Sequence, residues 1–439
     1  MADPGPTLPS ICPSILTPSY SAPIVAPGWT AQLVVTGLLT PRSLLFDDAG
    51  ALLVVESGTG IQRITFDDYG DTCLVVRNSN QVVDQPDLNH SLEFSAETGT
   101  LYASSSNNVY AWDYDSSTGT ASLTPPQTLV TGMDGTDHVS RTLLLSRDDP
   151  GKLIVSRGSY SNNDQAAVFL LSGHSQIRAF DITSPAAGNF PYSFTSGNPI
   201  GFGLRNSVGI AEEPTTNALY SVENSIDDIV RNGVDVHDNN PGEELNYHGP
   251  ISQIPSSPSP NFGYPSCFAL WDPTNFPDLG TLTVGEQFSM TQSTSLNDQI
   301  CASSYVAPRL TFQAHQAPLD IIFTPSGSAA YVSFHGSWDR SQPVGYKVSE
   351  IAFSGGQPVA ASDSTTSTND ILSNADLSVC PGQCFRPVGL AMDSKGRIFV
   401  SSDTTGEIYV LQKTPATTGG GSACRPNKAR KRRGVYVHA

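Results

Sequence analysis

Four arginines and two histidines stand out in an otherwise acidic chain: Arg42, Arg141, Arg205 and Arg386, with His90 and His138. Guanidinium groups are costly to gather, because like charges repel and desolvation adds to the cost. Any one of them is accounted for by a carboxylate from a neighbouring element. Four together point to an anionic ligand with several carboxylates, clamped by bidentate contacts. Asp137-His138 sets a carboxylate beside an imidazole, a pairing suited to proton transfer, although the same dipeptide also occurs in plain turns. Glu223-Asn-Ser-Ile-Asp-Asp228, then Asp235 and Gly242-Glu-Glu-Leu-Asn246, are rich in oxygen donors. Calcium takes such ligands; the spacing is not that of an EF-hand, and an exposed acidic loop is the alternative. His335-Gly-Ser-Trp-Asp-Arg340 and Gly345-Tyr-Lys347 supply an aromatic plane and further cations. A planar cofactor stacks on such a plane, whereas a packed Trp338 with a surface arginine is the plainer alternative.

Residues so far apart meet only if a repeated element carries them to one axis. A degenerate repeat does run through the chain: an apolar strand, a turn with Asp, Gly or Pro, then a second apolar strand ending in small polar residues. The first strands are expected to begin near Pro41, His90, Arg141, Asn206, Pro318 and Pro387. Third strands follow at Gly60–Ile64, Gln176–Phe180 and Glu407–Leu411. A lone hairpin cannot bury its apolar face, so such units must stack. The pattern predicts an all-β, six-bladed β-propeller, with an irregular β-sandwich as the alternative. Innermost strands start near the central channel. Arg42, His90, Arg141 and Asn206 therefore share one register, with His138, Arg205 and Arg386 just ahead of it. The interval between the fourth and fifth repeats is the longest and predicts a loop insertion from about Ser225 to Leu310. Long loops in compact folds are usually functional.

The strand pattern stops by Lys413, which predicts a propeller over 1–412 and a disordered tail over 413–439. That tail is Gly/Thr/Ser-rich and then basic, ending in Lys428-Ala-Arg-Lys-Arg-Arg433. Beside an acidic body it reads as a solvated tail rather than a nucleic-acid patch. A net charge of −18 argues against nucleic acid and anionic membranes as partners. No apolar run is long enough to span a bilayer. Seven cysteines with few lysines suit an oxidising, extracellular setting. Cys380–Cys384, Cys267–Cys301 and Cys12–Cys73 are plausible pairs, with connectivity left open. The start lacks a basic and apolar leader, so the chain reads as a mature form with an added start.

With these pieces in order, the chain resembles the pyrroloquinoline quinone (PQQ)-dependent sugar dehydrogenases: soluble glucose dehydrogenase, sorbosone dehydrogenase-like proteins and especially fungal pyranose dehydrogenase. The resemblance covers roughly Pro41 to Leu411. It rests on Asp137-His138, Gly203-Leu-Arg-Asn206, Asn261-Phe-Gly-Tyr-Pro265, Phe334-His-Gly-Ser-Trp-Asp-Arg340 and Phe385-Arg-Pro-Val-Gly389. It implies that His138 is the catalytic base with Asp137 as its partner. It implies that Arg205 and Asn206 hold the quinone and the reacting oxygen, and that Arg386 meets a quinone carboxylate. Arg42, His90 and Arg141, from the shared register, and Tyr264, His335, Trp338, Arg340 and Lys347, from the local motifs, are the further expected cofactor contacts. Backbone carbonyls of Ser225 and Ile226 are the implied calcium ligands. The Phe334–Arg340 stretch follows the fungal and sorbosone branch, which moves the substrate away from plain glucose. The expected protein is a secreted monomer that oxidises pyranoses or ketoaldoses at the anomeric carbon. Its electrons would pass to an external acceptor, such as a cytochrome or, by analogy, a copper polysaccharide monooxygenase. A calcium-dependent propeller lactonase and a non-catalytic glycan- or anion-binding propeller are the alternatives; the lactonase would not need the arginine ring.

Overall fold

The computed structural model describes residues 12–122, 125–183, 190–255 and 259–414. Within them the strands form six blades. Blade 1 is Pro41–Phe46, Leu52–Glu56, Gly60–Asp68 and Leu74–Asp84; blade 2 is Leu88–Ser95, Thr100–Ser105, Val109–Asp115 and Gln127–Thr131. Blade 3 is Leu143–Leu145, Lys152–Arg157, Gln176–Asp181 and Asn198–Phe202; blade 4 is Ser207–Glu212, Ala218–Glu223, Glu243–Pro250 and Leu310–Phe312. Blade 5 is Pro318–Phe323, Ala329–Phe334, Lys347–Ser354 and Asn369–Ser373, with Ile24–Val25 added at its outer edge. Blade 6 is Pro387–Met392, Ile398–Ser402 and Glu407–Lys413, and its fourth strand is Trp29–Val35 from the other end of the chain. The expected repeats are the first two strands of the six blades.

Blade strands carry apolar residues on both faces because each sheet is sandwiched between two others. In Leu52–Glu56, Leu52 and Val54 pack toward blade 6, while Leu53 and Val55 pack toward blade 2. Leu153 and Val155 likewise face blade 2, and Ile154 faces blade 4. The small polar residues near the ends of the second strands pin the next blade. Ser104 donates to Arg141 O at 2.6 Å, Ser333 to Val388 O at 2.5 Å, and Ser401 to Arg42 O at 2.6 Å. These hydroxyls fix the channel-end backbone of the arginine-bearing strands.

The segment after Ser225 is not one continuous loop. Glu243–Pro250 returns as the third strand of blade 4, so the insertion is split into 224–242 and 251–309. The two parts share an apolar cluster with blade 3, in which Ile226, Ile229, Tyr264, Phe268 and Phe288 are buried. Cys267–Cys301 ties a two-stranded ribbon to the helix Asp298–Ser304. Cys12–Cys73 and Cys380–Cys384 are also paired. Lys413 closes the last strand, and residues 415–439, which hold nearly all of the expected tail, lie outside the described residues.

Candidate active site

The loops that lead into the first strands and those that leave the second strands open on the same mouth of the ring. There a cavity of about 370 Å³ takes its walls from blades 3 to 6.

His138 lies on one wall, on the 132–140 loop. Its Nδ1 is 2.8 Å from Ser159 Oγ and 3.3 Å from Ser159 O. The single hydroxyl proton of Ser159 is donated to Ser161 O at 2.8 Å. Both Ser159 oxygens therefore act as acceptors toward the ring, so Nδ1 carries the hydrogen and Nε2 keeps its lone pair. Burial, reinforced by the charge of Arg205, pushes the imidazole down to about 4, so it is neutral at ordinary pH. Asp137 acts on the ring only through its charge; Ser159, not Asp137, orients it. Gly158 permits this packing, because a Cβ there would stand 2.5 Å from Asn206 Oδ1 and 2.6 Å from His138 Cβ.

The loop bearing His138 is held from beneath. Asn107 Oδ1 accepts the N–H groups of Gly132, Met133 and Asp134 at 3.1, 2.9 and 3.1 Å. Arg141 donates to Met133 O at 2.5 Å and to His138 O and Ser140 O at 2.7 Å each. Arg157 donates to Asp134 O at 2.9 Å. Arg141 is fully buried and does not line the cavity. Arg141, an expected cofactor contact, thus stands behind the wall, and loop carbonyls solvate its charge.

Arg205 lies between the base and an oxygen-rich corner. It donates to Asn162 O at 3.1 Å, Asn162 Oδ1 at 2.8 Å, Asp227 Oδ2 at 2.9 Å, Asn224 O at 3.2 Å and to Ser225 O. Its N–H groups thus grip the loop that holds the expected calcium carbonyls. Glu243 lines the cavity below, accepting Ser225 N–H at 2.7 Å, and burial raises its carboxyl above the usual range. Asp227, His315 and Asp339 each offer one ligand atom, all within 4.8 Å of one another. Burial alone would raise Asp227, but His315 and Arg205 hold it below the ordinary carboxylate range. Ile226 turns its side chain into the insertion's apolar cluster. Carbonyls and carboxylates converging on one corner match the donor chemistry of calcium.

The far wall is cationic. Arg386 donates to His335 O at 3.2 Å and Gly336 O at 3.1 Å, and it forms no ion pair among the described residues. His335 Nε2 is 3.0 Å from Asp403, which also accepts from Arg42 at 2.7 Å. Burial would raise Asp403, but His335 and Arg42 hold it far below the usual range. Arg42 donates to Nδ1 of His90, which burial and Arg42 keep neutral. Asp403 and Asp227 thus supply carboxylates among the cations of this mouth. Trp338, 71% exposed, projects at the rim.

Other expected contacts lie off the wall. Arg42 and His90 sit deeper in the channel, outside the cavity lining. Tyr264 is buried, donating its hydroxyl to Asn162 O at 3.0 Å and so tying blade 3 to the insertion. Arg340 clamps the insertion through Asp238 O and Asn239 Oδ1. Lys347 pairs with Asp370 at 2.9 Å on the outer part of blade 5. Ser159, Asn162, His315 and Asp403 were not singled out from the sequence. A signal existed for two: Ser159 and Asp403, like Asn224 and His335, stand one or two residues past the end of a second strand.

A six-bladed propeller with a neutral base, an unpaired cation and an oxygen-rich corner at one mouth is the frame of a cofactor-loaded enzyme. The chain matches the TrAA12-like family over residues 23–414 and belongs to it. A PQQ-dependent sugar dehydrogenase of Hypocrea jecorina is 50% identical over 398 residues, 90% of each chain. The calcium structure of a Trichoderma reesei protein of carbohydrate-active enzyme family AA12 superposes with a TM-score of 0.88 at 50% identity, covering 91% of this chain and 99% of that one. The holo PQQ domain of pyranose dehydrogenase from Coprinopsis cinerea gives 0.84 at 36% identity, covering 91% and 99%.

Proposed function

We propose that this chain is a secreted, monomeric enzyme that oxidises pyranoses or ketoaldoses at the anomeric carbon and passes the electrons to an external acceptor, a cytochrome or a copper polysaccharide monooxygenase. It is an oxidoreductase of the PQQ-dependent sugar dehydrogenase kind, with PQQ and calcium as its cofactors. Family membership carries the class, and neutral His138 with a basic Nε2 carries the mechanism. The residues present fit both groups. Arg386, a cation with no ion pair among the described residues, suits a quinone carboxylate. Carbonyls of Ser225 and Ile226, with Glu243 beside them, suit calcium. When bound, the quinone supplies the hydride acceptor and the calcium a Lewis acid.

The side chains then divide the remaining work. His138 takes the anomeric hydroxyl proton on Nε2, while Ser159 holds the ring's tautomer and direction. Arg205, fixed by the loop carbonyls, keeps a positive charge beside the ring and so keeps the base deprotonated. The same charge favours negative charge that develops in the cavity. Asn206, packed against His138, holds the reacting oxygen. Trp338 and His335 close the opposite side. In protein loaded with PQQ and calcium, His138→Ala should slow single-turnover reduction by roughly 10²–10⁴-fold, with quinone binding retained. Near-normal reduction by the loaded variant would remove His138 from the mechanism.

A further inference from the structure

The 158–175 loop, between the second and third strands of blade 3, carries an aromatic ring that the reaction above leaves unused. Tyr160 is 45% exposed, yet it is firmly held. Its N–H donates to Asp164 Oδ2 at 2.8 Å, and its carbonyl accepts from Thr136 Oγ1 at 3.3 Å. The ring stacks on His174, with centroids 5.7 Å apart and planes at 14°. That imidazole is in turn fixed by Nδ1 to Asp164 Oδ2 at 2.6 Å. Ordering an exposed side chain costs entropy, and this one is ordered without burying its ring.

Its place matters more than its exposure. Tyr160 follows Ser159, which orients the base, and its carbonyl is tied to Thr136, next to Asp137 on the cavity wall. Thr136, Asp137 and Asn163 are exposed polar side chains of the same two loops. A pyranose ring has an apolar C–H face and a hydroxyl edge. An aromatic plane bordered by hydroxyl, carboxylate and amide groups complements both. His138 and Trp338 belong to the cavity wall, and Tyr160 does not. The tyrosine thus stands beside the cavity wall, next to the residue that orients the base.

We propose that Tyr160, backed by His174, is a stacking subsite for the sugar ring next to the reacting one, so that the substrates include oligosaccharides oxidised at their reducing end. This rests on the sugar-oxidising reading above. The test compares wild-type holoenzyme with Tyr160→Ala and Tyr160→Phe on a monosaccharide and on the di- and trisaccharides that carry it at their reducing end. The alanine variant should raise KM for the oligosaccharides about 3- to 10-fold, the worth of one aromatic contact, while kcat and monosaccharide kinetics hold. The phenylalanine variant should behave as wild type. Calorimetry with a trisaccharide alditol, which has no anomeric hydroxyl to oxidise, should show the same ranking. Equal losses on mono- and oligosaccharides, or no loss on either, would overturn the subsite. If the wild type oxidised no sugar, the dehydrogenase reading would fail, and the alditol titration would still decide the subsite.

Discussion

At the scale of single residues, the proposed mechanism turns on a histidine that cannot easily be charged. An unperturbed imidazole titrates near 6.5, whereas burial and Arg205 bring His138 to about 4. A base must be deprotonated to act. The single-turnover rate should therefore climb through an inflection near pH 4 and be flat across 6.5. A pH–rate profile with its acid limb at 6–7 would show that the imidazole is not so buried. Much of this site was legible beforehand. His138, Arg205, Asn206 and Arg386 stand just ahead of first strands or at their start, and the propeller's symmetry carries that register to the channel. Ser159 and Asp403 carry no such mark, since they stand not at the start of a first strand but past the end of a second, which opens on the same mouth. Arg141 is ambiguous in sequence for a different reason. A guanidinium that binds a ligand and one that solvates loop carbonyls have the same sequence signature, and only the course of the 132–140 loop decides between them.

At the scale of elements, that loop is the part on which the proposed mechanism leans. Asn107, Arg141 and Arg157 secure it entirely through backbone groups, so its position is insensitive to its own side chains. Arg141→Met removes the donors for three carbonyls. A buried polar group left unpaired costs about 1–3 kcal/mol, so Tm should fall and kcat should drop as the loop loosens. Quinone affinity should be unchanged in folded protein, because Arg141 lies behind the wall. A calorimetric loss of quinone binding in this variant would restore Arg141 as a ligand. The insertion was legible as an interval but not in its interior. Glu243–Pro250 shows no clean alternation, because it buries Glu243, Glu244 and Asn246 beneath the site instead of apolar residues.

At the scale of the whole molecule, the channel has a second cavity, about 530 Å³, on the side away from the site, and Glu93 and Asp320 line it. Burial pushes Glu93 up to about 8 and Asp320 up to about 7. The folded protein thus holds protons that the unfolded chain has already released near pH 4. Their stabilising contribution is full below about pH 4, shrinks as pH rises, and is gone above the folded values of about 7 and 8. Tm should fall over that window, and Glu93→Gln should flatten the fall. An unchanged slope in the variant would mean that Glu93 is ionised in the native state. The blade count followed from the repeats because each strand pair must bury both faces. The closing strand did not, since Trp29–Val35 belongs to no repeat and finds its sheet only through residues near the other end of the chain.

That closing strand has a temporal consequence. Trp29 pairs with Lys413 and Ile24 with Ser373, so the ring's clasp joins segments that are made early and late in the synthesis of the propeller. Five blades can stack as they emerge, yet the circle stays open until the final strand is free to be met. Closing so long a loop costs only slowly growing entropy, but it must come late, and contacts this distant in sequence slow folding. The nascent propeller thus spends its waiting time with the apolar faces of blades 6 and 1 unjoined, and that seam stays exposed until the clasp shuts.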